Sequence, residues 1–375
     1  MRSPILTQTA LPTSGPYPTQ DPFLFCVYHK DQYPPAINDK MEAPRQGNGQ
    51  DFNPDAPYRM YHGDRIPGFP QHPHRGFETI TATIDGIIDH ADSVGNAGRY
   101  GMGDLQWMTA GSGVVHSETF PLIHQHKDNP TSFFQIWLNL PARSKMTDPS
   151  FAMFWAPDVP KYTSPDGKAS VTLFAGNNYF GIQADQRNHE PPPDSWASDP
   201  ANDVAIFHIT LQPGGTLVLP KSNEDNVNRS LFLIEGAKQN KVVIQYKDDD
   251  KGSSSTSSSS PQTTVVNQPV ILGLDSSQDV ILELPESSET NSEFLMLQGK
   301  PINEPVARYG PFVMNTQAEI RQAFQDYGKT KFGGWPWPRD DMVFSRDKER
   351  FAHLKGVETG PPEDKDTCTE EEGNK

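Results

Sequence analysis

Residues 68–81 read GFPQHPHRGFETIT, and the way this stretch is threaded decides the rest of the chain. From Glu78 to Asp85 apolar and hydroxyl residues alternate. Ile80, Ala82 and Ile84 fall on one face, and Thr79, Thr81 and Thr83 on the other. That is the period of an extended strand, and Gly86 closes it. In the same register His72 and His74, two positions apart, point to one side of the chain. Two imidazoles so placed either share a ligand or hydrogen-bond separately, and the pair alone does not decide between these.

A second stretch tips the balance. Residues 103–118 read GDLQWMTAGSGVVHSE, where a Gly-rich turn leads into His116 and Glu118 with the same two-residue spacing. Three imidazoles and one carboxylate suit a borderline divalent transition metal better than magnesium or calcium, which take mostly oxygen. Four ligands drawn from two strands of a small barrel leave coordination positions open, the arrangement of a reactive rather than a structural ion.

Working outward, short apolar runs bounded by Gly or Pro continue on both sides. The 375 residues include 36 prolines and 29 glycines, which predicts an all-β body with many turns. One strand series occupies residues 21–187 and a second residues 203–330, joined by the Pro-rich linker 188–202. Residues 1–20 read as a disordered arm, 31–65 as a long surface loop, 248–260 as a low-complexity hairpin insertion and 355–375 as a disordered acidic tail. One helix is signalled: Thr316 and Glu319 form a capping box ahead of Ile320, Ala323, Phe324 and Tyr327.

Composition excludes several classes of function. A net charge of −16 argues against nucleic acid or an anionic membrane as direct partners. No apolar run approaches the roughly 20 residues that span a bilayer. Two cysteines, Cys26 and Cys368, the latter in the acidic tail, fit a reducing compartment. The N-terminus lacks the apolar core of a signal peptide. Its Ser/Thr content and absence of acids leave a transit-peptide reading open, with the cytosol as default.

HPHRGFETIT, GDLQWMTAGSGVVHSE, FFQIWLNLPARSKM and GPFVMNTQAEIRQAFQDY, in this order, resemble the pirin family of the cupin superfamily over about residues 21–327. The resemblance implies two stacked cupin-type β-barrels (a bicupin) with a C-terminal helix. It implies one metal in the N-terminal barrel, Fe(II) with other divalent transition metals as the alternative, and a degenerate, metal-free second barrel. The family's ligand pattern falls on His72, His74, His116 and Glu118. Quercetin 2,3-dioxygenase activity goes with it: a planar aromatic flavonol and O₂ as substrates, with Glu118 accepting the proton of the flavonol 3-hydroxyl. Iron-dependent transcriptional co-regulation, with a transcription-factor partner and a nuclear as well as a cytoplasmic location, is the alternative it implies. A roomy open pocket beside the metal would favour catalysis, and a closed one regulation.

Cupins in general often place a glutamate shortly after the H-x-H pair, and Glu78 stands there. Because the resemblance favours the H-x-E glutamate as ligand, Glu78 is assigned to a supporting contact behind the ligands or an ion pair with Arg75. Loop 31–65 exceeds the family pattern and is placed to cover the site's mouth. Phe69, Phe77, Met108, Trp107, Phe134 and Trp137 flank the ligand segments. Ordinary core packing accounts for at least half of them, with Phe69, Met108 and Phe134 as candidates for an apolar slot. His124 and His126 are read as an exposed turn, His208 as a satisfied strand residue, and His29, His62, His90, His189 and His353 as unremarkable polar positions.

Overall fold

The computed structural model describes residues 3–45, 52–182, 190–246 and 262–362. Two β-barrels stack side by side. In the first, a five-stranded sheet (Ser150–Phe154, Leu105–Thr109, Phe77–Asp85, Asn129–Asn139, Phe23–Tyr33) faces a six-stranded one. The latter runs Val357–Thr359, Phe351–Leu354, Ala97–Gly101, Ile87–Asp92, Val114–Thr119, Gly68–His74. The second barrel pairs a seven-stranded sheet with a four-stranded sheet. The helix Gln317–Thr330 begins with the expected capping box: Thr316 Oγ1 accepts from the Glu319 amide and Glu319 reaches back to the Thr316 amide.

The barrels meet through two apolar sheet faces. Ile80, Ala82, Phe134, Ile136 and Leu138 of the first pack against Ile206, Phe232, Leu295 and Leu297 of the second. Alternate residues of those same second-barrel strands turn the other way. Phe207, Ile209, Leu231, Leu233, Phe294 and Met296 fill its interior with hydrocarbon. In the first barrel the alternation is used in reverse: the isoleucine face of Phe77–Asp85 looks outward to the neighbouring barrel, and the threonine face looks into the interior.

Three expected boundaries shift. Residues 1–20 are not an unstructured arm: Ile5–Ala10 forms an edge strand of the second barrel, antiparallel to Val270–Leu274. Its side chains are mostly exposed, so main-chain hydrogen bonding rather than an apolar face holds it. The second barrel also begins earlier than residue 203. Lys161–Thr163 and Ala169–Ala175 already belong to its seven-stranded sheet, because Ala169–Ala175 pairs with Ala205–Leu211. Within the linker, Trp196–Ser198 and Pro200–Asn202 form short 3₁₀ turns. The chain after the helix returns to the first barrel, where Phe351–Leu354 pairs with Ala97–Gly101 and Val357–Thr359 extends the sheet into residues read as tail. The insertion 248–260, His189 and Cys368 lie outside the described residues.

Candidate metal centre

The strands carrying the histidines are neighbours. Gly68–His74 runs antiparallel to Val114–Thr119, with His72 directly opposite His116. A bulge between Phe69 and His72 inserts one extra residue. It reverses the parity of what precedes it, so Phe69 stands opposite Glu118. Gly68 makes this approach possible. Its φ is +123° and a Cβ there would lie 2.4 Å from the Glu118 carbonyl oxygen, a space only glycine leaves open.

Ring nitrogens of His72, His74 and His116 all lie within 4.8 Å of one another. Nε2 of His72 and Nε2 of His116 are 3.1 Å apart. His72 Nδ1 donates to the Pro70 carbonyl at 2.9 Å, which leaves its Nε2 as a lone pair facing the cluster. His74 Nδ1 lies 3.4 Å from the Pro311 carbonyl, a longer contact of the same kind. His116 Nδ1 is buried without a hydrogen-bond partner. Burial lowers all three basicities, His72 to about 4 and His74 and His116 well below the ordinary histidine value, so each ring is a neutral donor at pH 7. Converging imidazoles, His74 and His116 buried and His72 half-buried, are a donor set that fits a divalent transition metal.

Glu118 lines the same cavity but stands outside the histidine cluster. Thr81 Oγ1 is 2.9 Å from its Oε1, the Gln135 amide donates to its Oε2 at 3.1 Å, and the Tyr100 hydroxyl approaches Oε1 at 3.4 Å. Burial raises its pKa, opposed by His90 and these hydrogen bonds. Thr81 belongs to the inward threonine face, and so the polar side of that strand serves to hold Glu118.

The cavity above has a volume of about 570 Å³. Phe25, Phe69, Phe120, Phe133 and Trp137 give its wall an aromatic lining. Of the expected slot residues only Phe69 lines it. Met108 is buried in the core behind, and Phe134 faces the other barrel. Long loop 31–65 contributes Phe52, Pro54, Arg59 and Tyr61, and the N-terminal segment adds Ser14–Pro16.

Residues 7–138 match the family model described as Pirin, and residues 206–333 the one described as Pirin C-terminal cupin domain. The chain belongs to the pirin family. A pirin-like protein of Solanum lycopersicum is 34% identical over 266 residues, 71% of this chain and 77% of its own length. Pirin-1 of Arabidopsis thaliana is 33% identical, covering 71% and 78% respectively. The crystal structure of quercetin 2,3-dioxygenase from Acinetobacter baumannii covers 88% of this chain and 98% of its own, at a TM-score of 0.61 and 25% identity.

In this pirin Glu78 does not support the cluster. Its carboxylate lies on the opposite face of the strand, where Thr109 Oγ1 donates at 2.8 Å and Ser195 Oγ at 2.6 Å. Arg75 pairs instead with Asp326 of the helix at 2.8 Å and covers the Phe332 ring. Strand parity is the reason: residues 77, 79 and 81 face the site, so residue 78 cannot. Burial raises Glu78 from 4.5 to about 7 despite its two hydrogen bonds. The unfolded chain loses this proton near pH 4.5 and the folded chain only near 7. Stability from this group therefore falls as pH rises through that window and levels off above it. Glu78→Gln should gain about 3 kcal/mol on the parent between pH 4.5 and 8, at about 1.4 kcal/mol per pH unit. Urea unfolding of both proteins at the two pH values measures this, and a stability difference that does not change with pH would refute it.

Two histidines read as unremarkable belong here. His90, opposite Glu118 on the next strand, is fully buried 5.4 Å from the His116 ring, and both its nitrogens lack hydrogen bonds. His29 lies in the cavity wall. Their nearness to the site comes from pairing between distant strands, and the polar residues beside each in sequence give no sign of it. His126 is exposed, as expected, and His208 Nε2 pairs with Glu293 at 3.0 Å.

Proposed function

We propose that this pirin is a mononuclear iron dioxygenase that opens flavonol-type rings with O₂, with His72, His74, His116 and Glu118 holding Fe(II). One observation carries the reading. The histidine cluster opens into a solvent-connected cavity of about 570 Å³ with aromatic walls, large enough for a planar three-ring substrate. A closed pocket would have supported the co-regulator alternative instead.

Bound there, ferrous iron would supply Lewis acidity and one-electron chemistry toward O₂. The protein's part is positioning. Phe69, Phe120, Phe133 and Trp137 bind the flat faces of the rings and exclude water. Glu118 accepts the proton of the flavonol 3-hydroxyl at a carboxylate oxygen whose basicity burial has raised. Thr81, Tyr100 and Gln135 keep that carboxylate directed at the site. Aerobic incubation of quercetin with Fe(II)-reconstituted protein should bleach the flavonol absorbance and release carbon monoxide. No turnover at full iron occupancy would overturn the proposal.

The two glutamates should behave differently. Glu118→Ala should weaken metal binding by at least the roughly 10–100-fold typical of losing a partner of the ligand set. Glu78→Ala should leave it unchanged, since its carboxylate faces away. Competition with a chromophoric chelator measures both. Metal loss in the Glu78 variant alone would transfer the ligand role to Glu78.

A further inference from the structure

The cavity contains a second polar feature, apart from the histidine cluster. Arg59 donates to Asp31 Oδ1 twice, from Nε at 2.8 Å and from its backbone amide at 2.9 Å. The other oxygen, Oδ2, accepts from the Tyr61 hydroxyl at 2.7 Å. Tyr61 oxygen in turn lies 2.8 Å from His29 Nδ1. Directions follow from chemistry. A carboxylate paired with a guanidinium is ionised and can only accept, so Tyr61 gives its proton to Asp31 and must receive one from His29. His29 therefore carries its hydrogen on Nδ1. Its Nε2 is a bare acceptor with no hydrogen bond among the described residues, and it is not sealed from the cavity that His29 lines.

The surroundings hold this tautomer in place. His29 stacks on Phe133 at 4.5 Å and meets Tyr61 and Phe69 edge-on. Tyr61 adopts a φ of +55°, a left-handed conformation costly for an aromatic residue, so the backbone is strained to aim it here. Burial, with Arg59 nearby, lowers His29 to about 3, which keeps the ring neutral. The Phe69 ring separates the two polar features, centred 5.9 Å from His29 and 6.2 Å from His72.

We propose that His29 is a second recognition point, a neutral imidazole fixed by the Asp31–Tyr61 relay so that Nε2 accepts a hydrogen bond from a substrate hydroxyl remote from the metal-facing end. It narrows the substrate class from planar aromatics to those bearing a second, distal phenolic hydroxyl. A site built to hydrogen-bond a hydroxyl discriminates against the analogue that lacks it, because the buried acceptor is then left unpaired.

The inference rests on the flavonol reading for its choice of ligand, and the test separates the two. Fluorescence titration of the metal-loaded protein compares quercetin with 3-hydroxyflavone, which keeps the metal-facing hydroxyl and lacks the others. The parent should bind quercetin about 10-fold or more tightly. His29→Phe should erase that preference while keeping its affinity for 3-hydroxyflavone, and His29→Gln, which retains an acceptor, should recover part of it. Nitrogen-15 NMR of the metal-free protein should show His29 as the Nδ1–H tautomer. Equal affinities in the parent, a preference that survives His29→Phe, or the opposite tautomer would each overturn the role of His29. Failure of both ligands to bind would instead bring down the flavonol reading, and this inference with it.

Discussion

His116→Ala should empty the metal centre, with affinity for Fe(II) or a surrogate divalent ion falling more than about 100-fold. That exceeds the loss typical of a group that merely orients a ligand. Its Nε2 faces Nε2 of His72 at 3.1 Å, and with His72 and His74 it makes up the group whose ring nitrogens converge. His72→Ala and His74→Ala should act alike. Folding should survive, because a neutral buried imidazole whose Nδ1 lacks a hydrogen bond adds little stability. Elemental analysis after dialysis, with circular dichroism as the control, separates metal loss from misfolding. The pH course is a further check. Protons compete with a metal for a free histidine near pH 6.5, but His72 is lowered to about 4. Parent protein should therefore hold its metal at pH 5.5, where an exposed histidine site would release it. A variant that keeps stoichiometric metal without His116 would refute the centre.

Arg99→Ala should cost about 3–5 kcal/mol of stability, the range for breaking a buried ion pair by removing one partner. Arg99 and Asp89 are both buried and joined by two bonds, Nε to Oδ1 at 2.7 Å and Nη2 to Oδ2 at 2.8 Å. The guanidinium also binds the Phe344, Ser345 and Lys348 carbonyls, and the Phe344 amide donates to Asp89 at 2.9 Å. This pair therefore adds a buried tie to the strand pairing that holds the returning C-terminal chain on the first barrel. Burial already holds the Asp89 carboxyl above its ordinary value even with Arg99 beside it. Removing the arginine would leave that charge uncompensated and the strand Phe351–Leu354 poorly anchored. Denaturant unfolding should show the loss, and limited proteolysis should cut first within residues 340–362. Arg99→Met combined with Asp89→Leu should recover most of it, since the buried charge then goes too. A loss below about 1 kcal/mol in the single variant would show that the chain is fastened elsewhere.

Sequence alone determined the all-β body, the capped helix and the sharing of one strand side by His72 with His74 and by His116 with Glu118. These are consequences of local period, and period two is a property of the extended backbone itself. Which side became the interior was decided only in three dimensions. The apolar face of Phe77–Asp85 went to the neighbouring barrel and its threonines to the site, because a barrel packed against another must cover its outer face with hydrocarbon and can leave its inside polar. Glu78 went outward with the isoleucines, away from the ligands it follows in sequence. The edge strand Ile5–Ala10 was illegible because it has no apolar side, and it is held by main-chain bonds to a strand some 260 residues away. His90 and His29 became part of the site for the same reason. Contacts between strands far apart in the chain are fixed by sheet pairing, and pairing is settled by the packing of the whole barrel rather than by the residues beside each histidine.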